Sequence, residues 1–145
     1  MEKSKKFAIR IINLYKYLGG EKKEYVIAKQ VLRSGTSIGA NVKESVDAQS
    51  KQDFISKMSI ALKEADETEY WLELLFETEY ISKEQFNSII TDCRELIKIL
   101  TKIIKHQKQY NCQFSILNCQ LSLHFVQYFD RSCRNQHGRS FLCYA

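Results

Sequence analysis

The sequence predicts an all-α protein, an antiparallel up-down-up-down four-helix bundle over residues 1–108 with a poorly ordered C-terminal tail over 109–145. Three observations carry that expectation. Four successive stretches place apolar residues three and four apart, the repeat of one helix face. Short turn sequences separate them, which makes sequential helices antiparallel neighbours. Proline is absent from all 145 residues, so nothing removes a backbone donor from inside a helix.

The first helix is expected over residues 5–18, where Phe7, Ile11, Leu14, Tyr15 and Leu18 share a face. Gly19-Gly20 is expected to end it through a left-handed cap. A second helix should start near Glu21–Glu24 and run to about Ala48, its buried stripe built from Val26, Ile27, Val31, Leu32, Ile38, Val42 and Val46. Gly35 and Gly39 lie inside it, each costing about 1 kcal/mol relative to alanine. A break at Ser34–Ser37 would give two short helices. The apolar repeat resumes in phase across the glycines, which favours one continuous helix whose Gly35, Gly39 and Ala40 let a neighbour approach closely.

Ser50 or Asp53 is placed to cap the third helix. Phe54, Met58, Ala61, Ala65, Leu72 and Leu75 are among its seam. Its outer face is acidic, with seven carboxylates and no base between Glu64 and Glu79. Thr78–Ile81 forms the next turn, and Ser82 caps a fourth helix over about Lys83–Lys105, with Phe86, Ile89, Ile90, Cys93, Leu96, Ile97, Leu100, Ile103 and Ile104 on the inner face. Beyond it, Asn111–Leu117 is nearly repeated as Asn118–His124, and apolar and polar residues alternate there as in a strand. A strand pair beside a finished bundle has no core to join, so the tail reads as an appendage.

The strings Arg33-Ser34-Gly35-Thr36-Ser37-Ile38-Gly39-Ala40-Asn41 and Asp53-Phe54-Ile55-Ser56-Lys57-Met58 carry a specific resemblance. From about Phe7 to about Lys105 the chain resembles the 23S ribosomal RNA intervening-sequence proteins, a bacterial family of small four-helix bundles. It is also similar to the accessory proteins of diversity-generating retroelements. The resemblance implies a homo-oligomer, a ring of five, and contact with nucleic acid or a protein partner.

Few residues offer catalytic chemistry. A di-iron bundle needs Glu-x-x-His on two helices; the residues three before His106, His124 and His137 are Ile103, Leu121 and Arg134. No histidine precedes His106, which removes most acid–base and triad arrangements. Cys119, His124, Cys133 and His137 lack the paired close spacing of a zinc site. Gly35-Thr-Ser-Ile-Gly39 lacks the lysine and the strand of a phosphate loop. No enzyme, metal or cofactor is therefore expected. The N-terminus enters a helix without a signal-peptide apolar run, and no stretch approaches the ~20 apolar residues of a membrane span. A cytoplasmic location without membrane contact is expected.

The net charge of +5 permits nucleic-acid contact without requiring it. Arg94, Lys98, Lys102 and Lys105 recur at spacings of four, four and three. Together with Lys5, Lys6 and Arg10 they form the candidate phosphate-binding surface. The competing expectation is a structural bundle that docks a protein through its acidic third helix.

Overall fold

The computed structural model describes the backbone of residues 2–136 and the side chains of residues 2–109. Four helices follow in order: α1 (Glu2–Gly20), α2 (Val26–Glu44), α3 (Lys51–Glu77) and α4 (Lys83–Gln136), with a 3-10 turn at Ser45–Asp47. The described residues contain no strand. By compactness the chain divides into Met1–His106 and Gln107–Ala145, and the bundle is the first of these units.

Side-chain pairs between helices define the arrangement. Ile11 meets Gly35, and Ser4 and Ala8 meet Gly39, so α1 and α2 run antiparallel. Arg33 reaches Glu67, and Lys57 reaches Glu44 at 2.5 Å, reversing direction again from α2 to α3. Phe76 stacks on Phe86 with ring centroids 4.6 Å apart, while Cys93 lies against Ala65, which pairs α3 with α4. Lys3 to Glu95 and Arg10 to Asp92 close the square between α4 and α1. Phe7, Ile11, Leu18, Ile38, Leu72 and Leu75 fill its centre, each at most 1% exposed.

The caps explain why the helices stop and start here. Gly19 and Gly20 are both helical, and among the described residues no glycine has positive φ. The left-handed residue is Lys23, at φ 55°, so the expected glycine cap is displaced into the loop. It brings in Glu24, which is 8% exposed and accepts N–H groups from Val26 and Ile27 at 2.9 Å and from Ala28 at 2.7 Å. One carboxylate satisfies three unpaired donors at the positive end of α2. Ser50 caps α3 by accepting from the Asp53 N–H at 3.1 Å, and Asp53 accepts from the Gln49 N–H at 3.2 Å. At the start of α4 the exchange is reciprocal: Ser82 Oγ accepts from the Gln85 N–H, and Gln85 Oε1 accepts from the Ser82 N–H.

Helix α2 is continuous across its glycines. Its hydroxyls bond back to the preceding turn, Ser34 to the Gln30 carbonyl at 3.0 Å and Thr36 to that of Leu32 at 2.7 Å. A Cβ at Gly35 would lie 2.7 Å from Ile11 Cγ1, closer than packed atoms allow, so Gly35 permits the α1–α2 approach. At Gly39 the nearest atom would be the Ser4 carbonyl oxygen at 3.6 Å, an ordinary contact. Ala40 is exposed and takes no part in the close packing.

Helix α4 runs past its expected end near Lys105. From Lys83 to Gln136 there is neither glycine nor proline to stop it, and the alternation over 111–124 produces no strand. The expected poor ordering of the tail concerns side chains from Tyr110 onward, and backbone beyond Gln136, that lie outside the described residues.

Candidate nucleic-acid interface

Spacing along one helix groups the basic residues; packing between helices separates them into two sets. Arg94 points across to α3, where its Nε lies 2.6 Å from Glu69 Oε1 and its Nη2 lies 3.2 Å from Glu73 Oε1. The Glu69 hydrogen bond and charge raise the guanidinium pKa further, so it stays a cation. Arg10 forks in the same way onto α4. It bonds the Asp92 carboxylate, the Ser88 carbonyl at 3.1 Å and the Ser88 hydroxyl at 2.8 Å. Both arginines are committed to holding neighbouring helices together.

Lys98, Lys102 and Lys105 are different. All three are exposed, and among the described residues none forms an ion pair. Their spacing of four and three keeps them along one side of α4. Lys5 is exposed and unpaired among the described residues, whereas Lys6 pairs with Glu2 one turn earlier at 2.7 Å. The Lys3–Glu95 contact puts the first turn of α1 beside that region of α4, so the N-terminal lysines and Lys98 lie toward the same end of the bundle. Mobile ammonium groups of this kind make point-charge contacts to phosphate and read no bases.

The acidic face of α3 is also partly neutralised. Glu67 accepts both the Arg33 guanidinium and the Trp71 indole N–H at 3.1 Å, in addition to the Glu69 and Glu73 contacts with Arg94. Cys93 is fully buried, and burial, followed by the charges of Glu69 and Asp66, pushes its thiol up to about 12. It remains a protonated core group whose Sγ lies 3.4 Å from the Ala65 carbonyl oxygen. Among the described residues no three His, Cys, Asp or Glu side chains gather as metal ligands, and no helix is long and apolar enough to cross a membrane.

The architecture and surface define a small α-helical bundle protein whose notable surface chemistry is unpaired lysine. The model of the 23S rRNA-intervening sequence protein family matches residues 1–102, and the chain belongs to that family. It is similar to a crystal structure from Bacteroides thetaiotaomicron VPI-5482, described as a protein with unknown function from the S23 ribosomal protein family. Identity is 62% and the TM-score 0.71, over 72% of this chain and 96% of that one. No curated protein matches the chain. The family match lies within the four-helix unit.

Proposed function

We propose that this chain is a non-enzymatic, homo-oligomeric bundle that binds nucleic acid through exposed lysines. The observation carrying the proposal is the set Lys98, Lys102 and Lys105, exposed on one side of α4 and unpaired among the described residues. Lys5 and Lys6 extend the positive surface; Arg10 and Arg94 serve the fold. The resemblance to retroelement accessory proteins supports the same reading, as does the ring of five implied by the family resemblance. A ring would repeat the lysine set in every subunit, so weak phosphate contacts add through multivalency.

Two measurements test this. Light scattering on the full chain should give a mass several times the 17.0 kDa of one subunit. Binding of single-stranded and duplex RNA should weaken steeply with salt, with little preference for sequence. Absence of binding to RNA or DNA at ~50 mM salt, where screening is weak, would remove the proposal.

A further inference from the structure

The outer face of the α1–α2 hairpin combines unpaired lysines with exposed apolar side chains. On α1, Lys5, Ile9, Ile12 and Lys16 recur at spacings of four, three and four, which aligns them in one stripe. On α2, Val26, Lys29, Arg33, Thr36, Ala40 and Lys43 do the same at alternating spacings of three and four. The stripes flank the helix contact at which Ile11 meets Gly35 and Ala8 meets Gly39. Lys5, Lys16, Lys29 and Lys43 are exposed, and none forms an ion pair among the described residues. Large apolar side chains stand between and beside them, with Val26 74%, Tyr25 51%, Ile9 50% and Ile12 37% exposed.

Between the stripes at the N-terminal end of α1 lies a groove of about 330 Å³. Ala8, Thr36, Gly39 and Ala40 form its walls, with Lys5 and Lys43 on the rims. Glu2 also borders it, but is held by Lys6. Small walls admit another backbone closely, and the exposed isoleucines offer apolar anchors. The lysines on both sides call for carboxylates on the occupant. A phosphate backbone would use the lysines and leave the apolar groups idle; a flat lipid surface would not enter the groove. A second copy's α3 is a poor complement, because Glu67, Glu69 and Glu73 already hold Arg33 and Arg94. We propose that the α1–α2 groove docks an acidic amphipathic helix from a different protein, in the helix-in-groove mode.

The test uses the full chain and a fluorescent helical peptide of about 20 residues carrying an alanine–leucine stripe flanked by glutamates, enough to span the hairpin at 1.5 Å per residue. A peptide of identical composition in scrambled order is the control. The ordered peptide should bind at least about tenfold more tightly, a difference of one factor of ten in Kd. Ile12→Glu should abolish that preference. The exposed pair Lys5→Glu and Lys43→Glu, which leaves the core untouched, should do so independently and transfer preference to a lysine-flanked peptide. Equal binding of ordered and scrambled peptides, or binding of neither, overturns the proposal. So does displacement of the peptide's role by RNA or anionic phosphatidylserine vesicles, if either binds through Lys5 and Lys43 with no response to Ile12→Glu.

Discussion

The two hairpins of this bundle close by different means. α1 and α2 approach through missing atoms: Gly35 has no Cβ to strike Ile11, and the Glu24 carboxylate anchors the start of α2. The facing lysines make no ion pair among the described residues, so their charge is directed outward. α3 and α4 close through added groups, the Phe76–Phe86 stack and the fork of Arg94 onto Glu69 and Glu73. At that contact the facing charges neutralise each other. The same mixture of lysine, arginine and glutamate thus leaves unpaired lysines on the outer side of one hairpin and an ion-paired contact between the helices of the other. The difference lies in which side chains reach across, and composition does not reveal it.

Breaking the first hairpin should cost most. Glu24→Ala leaves three N–H groups at the start of α2 without their acceptor, and hydrogen bonds to a charged group contribute about 1.5–3 kcal/mol. A loss of about 3 kcal/mol in urea unfolding is expected. Gly35→Ala should cost about 1–3 kcal/mol, because the new methyl overlaps the buried Ile11 side chain. Gly39→Ala should instead be neutral or stabilise by up to about 1 kcal/mol, since its methyl has room. Equal effects at the two glycines would show that their spacing, rather than their surroundings, sets the packing.

The second hairpin should respond weakly to loss of its surface fork. Arg94→Gln should shift the urea midpoint only slightly, because exposed ion pairs are screened by solvent and contribute little. A pH-dependent effect marks the buried thiol. The Cys93 thiol is held up at about 12 in the folded protein, against an ordinary 9.0. The folded state keeps this proton where the unfolded chain loses it. Its contribution is complete below pH 9 and declines as pH rises toward 12. Cys93→Ala should therefore reduce the fall in stability over that window. Identical alkaline profiles for the two proteins would contradict the buried, protonated thiol.

The four helices were legible because periodicity and capping are local. Ser50 and Ser82 act as expected, and the in-phase apolar repeat correctly implied a continuous α2. The start of α2 was obscure, since Gly19-Gly20 is a stronger local stop signal than Lys23, and nothing local shows that Glu24 folds inward. Ile55 and Ile81 are buried without having been assigned to the seam; both lie near element ends, where a turn redirects the side chain. The candidate surface was legible only as a set of positive charges. Arg10 and Arg94 sit in register with the lysines, yet their acceptors come from other helices. A stripe on one helix cannot show that. Ala40 shares the small size of the glycines, but it faces outward.

The most direct measurement compares two variants for RNA affinity between ~50 and 200 mM salt, a range over which phosphate contacts are strongly attenuated. One replaces Lys98, Lys102 and Lys105 with glutamine; the other replaces Arg10 and Arg94. The lysine variant should bind more weakly and show a shallower log–log salt slope, with helix content and melting temperature unchanged. The arginine variant should retain both the wild-type slope and most of the affinity, with a small loss of stability. An arginine variant that loses binding as completely as the lysine variant, while remaining folded, would contradict the division between ion-paired arginines and free lysines.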